Sequence, residues 1–427
     1  MSGNSSQNVS ATVNARSSKG GVPVGFMIFC GAVIALVSMG VRNMTPLWQA
    51  PMLQDLGWSS SDFTIAIATQ NLMWGALSPL FGGLADRFGA PRVLIFGALL
   101  QIAGLWIMSM ANEPTVFFLS AGLMVGTAQA AAGMGIVLGA IGRLVDESKR
   151  TMAFGLITSA SSAGMVILAP IGRAFLETQG WSAAFLAIAA LSLPMLLLAP
   201  FIGRKRTAAE PTTAEVARQT VGAALSEAFK HRGYVLLTVG FFVCGFHVTF
   251  VGAHFSNYLE SAGLGWQLGA TALMIIGVFN VFSCLGVGII ASALSKKGVL
   301  SVIYFGRAAL FGAFIMFPLT EWSVYIFAAV LGLLWLSTVP PTQGLVAHLF
   351  GTQYMTMLFG VVFFSHQIGS FLGAWLGALA FDQLGSYDTI WMASIGLGVL
   401  SGICHLFIDE SPAARLRTNA SAATPAE

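Results

Sequence analysis

Twelve stretches of unbroken apolar sequence, each long enough to cross a bilayer, leave this chain few ways to fold. They lie at approximately 24–53, 60–83, 91–111, 115–142, 151–176 and 182–203, then at 234–259, 267–294, 299–318, 322–349, 354–381 and 388–408. About 20 apolar residues span the hydrocarbon core as a helix, which satisfies its own backbone hydrogen bonds. Barrel strands would alternate apolar and polar residues, and these runs do not. Only 9% of the 427 residues are charged and 56% are hydrophobic, where a soluble domain has about 25% charged. The excess apolar surface has to face lipid, and no gap between runs holds an enzyme-sized soluble domain. The expected fold is an all-α polytopic membrane protein with 12 transmembrane helices.

Turn chemistry separates the runs, as in Gly57-Trp58-Ser59, Gly89-Ala90-Pro91, Gly180-Trp181-Ser182 and Gly385-Ser386-Tyr387. Residues 1–22 are polar and rich in Ser, Asn and Gly, without the pattern of a signal peptide, and read as a disordered cytoplasmic tail. The sequon Asn8-Val9-Ser10 on that tail reads as chance. Residues 23–203 form an N-terminal six-helix bundle and 233–408 a C-terminal one. Between them, 204–232 is a cytoplasmic linker that opens on Arg204-Lys205-Arg206, with a short surface helix expected between Ala214 and Phe229. Residues 409–427 form a second cytoplasmic tail. With both tails and the linker inside, 17 of the 20 Lys and Arg residues fall on the cytoplasmic side, leaving Arg42, Arg173 and Arg307. The outer loops hold acids such as Asp55, Glu113 and Glu260. Both termini are therefore placed inside, in the inner membrane of a bacterium. Cys30, Cys244, Cys284 and Cys404 all sit within apolar runs and read as small core residues.

The halves resemble each other at one offset, 205 residues. Gly40 pairs with Gly245, Gly83 with Gly288, Phe154-Gly155 with Phe359-Gly360, and Gly164 with Gly369. Two parallel repeats of six helices describe a transporter with its site at the interface between two pseudo-symmetric bundles.

Between the second and third runs the chain reads Gly82-Gly83-Leu84-Ala85-Asp86-Arg87-Phe88-Gly89-Ala90-Pro91-Arg92. This resembles the loop signature of the major facilitator superfamily, G-x-L-a-D-R-x-G-x-x-R. The resemblance implies gating roles for Gly83, Asp86, Arg87, Gly89 and Arg92, which would clip neighbouring helix ends together in the outward-open state. In the second half Ala291-Ser292-Ala293 stand where Asp-Arg would be, so any such latch is expected to be lopsided. Pro51 to Ser59, Leu336 to Thr342 and Phe364 to Gly369 resemble the monocarboxylate and oxalate/formate-type branch of that superfamily. Carboxylate porters of this branch commonly carry an arginine in the eighth helix, and residues 267–294 here hold no charged residue.

Ionisable side chains within membrane helices are costly and are candidates for function by default. The runs contain no deeply placed Asp or Glu, but they do contain Arg42, Arg307, His247, His254 and His366. A basic cavity without a buried acid suits an anion. At the same offset Arg42 maps onto His247 and Gln49 onto His254, each pair two helical turns apart on one face. The candidate substrate-binding residues are Arg42, Gln49, His247, His254, His366, Gln367, Gln129 and Asn280, with Gln70, Asn71, Thr342 and Gln343 as possible supplements. For the histidines, the competing reading is a ring satisfied by a backbone carbonyl. Arg307 on the ninth helix is assigned a structural role, and Pro340-Pro341 should kink the tenth.

The function read from these features is secondary active transport of a small organic anion, a mono- or dicarboxylate, by alternating access. The coupling ion would be a proton, carried on a histidine or on the substrate. Membrane lipid is the other expected partner. No nucleic acid, cofactor or metal is expected, and the chain is read as a monomer. The alternative is a multidrug-type exporter of amphipathic compounds that uses Phe and Met surfaces. A membrane enzyme would need a nucleophile–base set or metal ligands, and no His-Glu-x-x-His or Gly-x-Ser-x-Gly is present. A receptor-like sensor on the same fold would show no substrate flux.

Overall fold

A computed structural model describes residues 22–203 and 219–416, and all of its regular structure is helical. The first half comprises α1 (Val24–Met44), α2 (Ser60–Phe88), α3 (Ala90–Met108), α4 (Pro114–Gly142), α5 (147–179) and α6 (181–201). The second comprises α7 (Arg232–Ser261), α8 (Trp266–Ala293), α9 (Lys296–Met316), α10 (Glu321–Phe350), α11 (Met355–Leu384) and α12 (Asp388–Leu406). Among the described residues, ten helical segments are long and apolar enough to cross a membrane. One of them, Glu147–Phe201, is two passes that turn at Gly180, where φ is 81°. With the 29-residue α2, the passes number twelve.

Local chemistry sets the boundaries. Ser59 and Asp62 form a reciprocal capping box that starts α2. Gly89, with φ 94°, ends it and lets the chain turn directly into α3. The ends near Gln219, the Asp86 loop and Ala413 gather at one pole of the bundle. There Tyr354 Oη donates to the Gln219 carbonyl at 2.8 Å, and Ala413 N–H donates to Leu349 O at 2.9 Å. This pole is called the tail end below.

The repeated glycines sit where helices cross closely. A Cβ on Gly40 would come within 2.7 Å of the Gly164 carbonyl, where α1 crosses α5. Their counterparts Gly245 and Gly369 pack α7 against α11 in the same way. Gly155 and Gly288 join α5 to α8 across the halves, and Gly360 lies against Ser78 and Pro79 to join α11 to α2. One set of small-residue contacts thus builds each half, and a second set docks the halves.

The structure corrects four local expectations. Helix α1 stops at Met44 and is followed by a 3-10 turn (Thr45–Trp48) and a separate helix (Gln49–Leu56), so the first run is not one continuous helix. The surface helix of the linker runs Val221–Lys230; Arg204, Lys205, Arg206, the first part of the expected helix and the Asn8 sequon lie outside the described residues. Pro340 and Pro341 begin a helix instead of bending one. Helix α10 ends at Leu334, unwinds over 335–338 and restarts at Val339, which places both prolines in a first turn that needs no N–H from them. Helix α4 is also interrupted, at Gly133 (φ −74°, ψ 171°). Gly133 and Thr338, the N-cap of the restarted α10 helix, are again 205 residues apart.

Candidate functional site

Arg42 sits near the end of α1, half-buried, with its guanidinium 4.7 Å from the Trp74 ring of α2. Its Nη2 donates to Asn71 Oδ1 at 2.8 Å, and Arg42 makes no ion pair among the described residues. Across the halves, Gln367 of α11 donates from Nε2 to the Asn71 carbonyl at 3.1 Å. His366 Nδ1 lies 3.1 Å from Gln367 Oε1, and its ring stacks on Phe363 at 5.3 Å. A polar string therefore runs from Arg42 through Asn71 to Gln367 and His366. Beside it a small cavity of about 30 Å³ is lined by Trp74, Gln129, Met134, Phe359 and Phe363. Gln129 is fixed there by Ser38 of α1, which donates to Gln129 Oε1 at 3.3 Å.

The other candidates are elsewhere. Gln49, beyond the break in α1, is held by its own amide to Ser60 Oγ at 3.1 Å, because the 3-10 turn carries it off the face that bears Arg42. His247 is buried within the second half, its Nε2 2.8 Å from the Ser394 carbonyl of α12. His254 Nε2 lies 2.8 Å from the Ala374 carbonyl of α11. Both rings thus serve backbone acceptors that α12 and α11 present, away from the Arg42 string. Asn280 bridges helices: its amide donates to Ser162 Oγ of α5 at 2.8 Å, and its Oδ1 accepts the Leu336 N–H of the unwound α10 segment at 2.9 Å. Thr342 and Gln343 are fully buried, and neither Thr342 Oγ1 nor the Gln343 amide has a partner among the described residues.

At the tail end Asp86 pairs with Arg143 from the end of α4 and accepts the Met357 N–H at 2.9 Å. Met357 is in the first turn of α11, where unpaired N–H groups and the helix dipole favour an anion. Arg143 also reaches Thr356 Oγ1 at 3.2 Å, so one carboxylate and one guanidinium bind the two halves together. Gly83 lies 3.6 Å from the Met357 sulfur by the position a Cβ would take. Gly89 serves the turn, Arg87 lies over the Phe88 ring at 5.1 Å, and Arg92 caps the Phe88 carbonyl at 3.3 Å. Neither arginine of the loop touches the Asp86 carboxylate. Arg143 takes that place, and its only sign in the sequence is a basic residue at the tail-side end of a neighbouring helix.

A family model described as Major Facilitator Superfamily matches residues 28–374. The chain belongs to this superfamily. It is a multi-pass secondary transporter, from a family and fold of transporters that are not enzymes. YcxA, an uncharacterized MFS-type transporter of Bacillus subtilis (strain 168), is 23% identical over 397 residues, covering 91% of this chain and 96% of that protein. The multidrug resistance protein MdtH of Yersinia pestis (strain Pestoides F) is 30% identical over 134 residues, 31% of this chain and 32% of that protein. The E. coli fucose:proton symporter FucP shares the fold at a TM-score of 0.72 and 13% identity, over 91% of this chain and 99% of that one. In this MFS transporter the Arg42 string and the aromatic cavity lie at the junction of the halves, and the Asp86–Arg143 pair closes that junction at the tail end.

Proposed function

We propose that the chain moves a small organic anion, a mono- or dicarboxylate, by alternating access with proton coupling, its tail end facing the cytoplasm of a bacterial cell. Arg42 carries this reading. It is a guanidinium at the junction of the halves with no carboxylate partner and one hydrogen bond, to Asn71. Two of its donors together match a carboxylate, and the Trp74 face steadies the cation from the side. Gln367 and Gln129 add neutral donors without a competing negative charge. The branch likeness of Pro51 to Ser59 and Phe364 to Gly369 supports the same substrate class. The uncharged α8 means that Arg42, from the other half, would supply the cation instead.

The proton would be carried by His366, which shares the string with the substrate site and lies between Phe241 and Phe363 at 5.1 and 5.3 Å. FucP, with the same fold, is a proton symporter. The basic residues at the tail end support the cytoplasmic placement of both termini.

Uptake into proteoliposomes, screened over mono- and dicarboxylates across pH, tests the reading. A lost charged hydrogen bond costs about 1.5–3 kcal/mol, so Arg42→Ala should weaken uptake roughly ten- to a hundred-fold. Arg42→Lys, a point charge without the fork, should retain part of it. Unchanged uptake of every anion by a correctly inserted Arg42→Ala protein would sink the proposal. A second reading, export of amphipathic compounds, is favoured by the Trp74, Met134, Phe359 and Phe363 lining and by the local likeness to MdtH. Resistance that depends on Trp74 and is indifferent to Arg42 would select it.

A further inference from the structure

Inside the second half, away from the Arg42 string, three helices meet along a polar seam. Helix α9 presents Arg307, Tyr304 and Ser301, each one turn from the next. Arg307 is completely buried, yet no carboxylate among the described residues pairs with it. Its Nε donates to the Leu334 carbonyl at 2.9 Å, and Nη2 donates to the carbonyls of Leu334 and Trp335, the last of the broken α10 helix, and to Cys244 Sγ at 3.7 Å. Its Nη1 has no acceptor among the described residues.

The neighbours of Arg307 are equally incomplete. His247 Nε2 faces the Ser394 carbonyl, which can only accept, so Nε2 carries the proton and Nδ1 is a bare lone pair. His405 Nδ1 faces the Ser401 carbonyl at 2.8 Å, which by the same logic leaves Nε2 as the lone pair. Neither lone pair has a partner among the described residues, although His247 is 1% exposed and His405 0%. Ser394 Oγ is also unpartnered among the described residues, and Tyr304 Oη lies close to Ser401 and Cys244. Left dry, each such group costs about 1–3 kcal/mol.

The orphaned atoms decide which ligand fits. Arg307 Nη1 and Ser394 offer protons, while the two histidines offer lone pairs. A halide or carboxylate would suit the first pair and be repelled by the second, and a cation the reverse. Water donates and accepts. We propose that the α7/α9/α12 seam is a built-in hydration site, a file of bound waters reaching from His247 past Arg307 and Tyr304 to His405. The file opens at the tail end, where Asp409 is exposed, Lys297 Nζ caps the Ile408 carbonyl at 2.8 Å and His231 Nδ1 again has no partner. These waters complete the hydrogen bonding of the buried guanidinium, which holds the α10 break open. The fixed cation midway opposes proton passage, so the file supplies water to the break and is not a route for the coupling proton. In the first half the positions 205 residues earlier are Ile102, Ala189 and Leu196, in place of Arg307, Ser394 and Ser401, and the polar groups of that seam are instead Gln101 and Ser192, joined by a 3.1 Å hydrogen bond.

The inference stands independently of the substrate, and radiolytic hydroxyl-radical labelling of the intact protein in nanodiscs tests it. Bound water generates radicals in place, so Tyr304, His405 and His247 should be oxidised several-fold more than Tyr234 and Phe117, which are as deeply buried. Tyr234 Oη is satisfied by the Leu358 carbonyl at 2.8 Å and serves as the dry control. In His405→Leu, labelling of Tyr304 should fall towards the control with Tyr234 unchanged. Seam labelling equal to that of Tyr234 in the unsubstituted protein, or Tyr304 labelling indifferent to His405→Leu, overturns the proposal.

Discussion

The two seams that close the tail end occupy equivalent places and are built differently. Where α2 meets α11, Asp86 binds Arg143 and the Met357 N–H, and all three groups are at least partly buried. Where α5 meets α8, Gly155 and Gly288 touch backbone to backbone, and the ion pair beside this crossing joins Glu147 of α5 to His348 of α10 at 2.8 Å. At the 205 offset Asp86 corresponds to Ala291, Arg143 to His348 and Met357 to Met152. The difference follows from where the receiving helix begins. Helix α11 starts at Met355, so the Met357 N–H precedes the first hydrogen bond of the helix ladder. Helix α5 starts at Glu147, so Met152 is more than a turn inside and its N–H is already used. A carboxylate at position 291 would have nothing to receive it. The motif survives on the side where a helix end and a cation await it.

The largest expected effect comes from forcing the symmetry. Ala291→Asp buries a carboxylate at a fully enclosed position without a free N–H, and an uncompensated buried charge costs about 3–5 kcal/mol. The folded yield and the melting temperature in detergent should both fall sharply. A stable Ala291→Asp protein with a more tightly closed tail end would show that helix start does not decide the asymmetry.

Next in size is Asp86→Asn. It keeps an oxygen for the Met357 N–H but loses the charge that Arg143 and the helix end both bind. The loss is about 1.5–3 kcal/mol, since Arg143 is partly exposed and can rehydrate, which shifts the closed tail end by roughly ten- to a hundred-fold. Ser78 lines the cavity beside this seam. In a Ser78→Cys background a thiol reagent added from the tail side should react faster by a comparable factor. An unchanged rate would remove Asp86 from the gate.

Much of this architecture is legible in the sequence, because lipid imposes continuous apolar runs and close helix crossings demand small residues. The twelve passes follow from the first requirement, and the repeated glycines Gly40, Gly164, Gly245 and Gly369 stand at helix crossings, although only the fold shows which glycine meets which helix. The site is less legible. Arg42, Gln367 and His366 do come together, but the i, i+7 argument that added Gln49 and His254 assumed an unbroken first helix and a cavity-facing seventh. Composition gives no sign of the 3-10 turn at Thr45–Trp48, since no glycine marks it and Pro46 is tolerated in a first turn. Arg143 is hidden for another reason: its partner is 57 residues away, and proximity across a bundle has no trace in local spacing. The breaks in α4 and α10 are marked only by Gly133 and by prolines that suit a helix start as well as a kink.

Glu147→Gln probes the weaker seam and should have the smallest effect. The side chains of His348 and Glu147 are 33% and 67% exposed, so water competes for both and salt screens the pair. Exposed ion pairs contribute about 0.2–1 kcal/mol, which limits the change in Ser78→Cys reactivity to roughly five-fold at most. The effect should shrink further as ionic strength rises, whereas that of Asp86→Asn should persist, because the Asp86 carboxylate is completely enclosed. If both substitutions open the tail end equally and lose their effect together in salt, the two seams share the load. If only Asp86→Asn survives high salt, the α2–α11 seam is the gate and the α5–α8 crossing is its pivot.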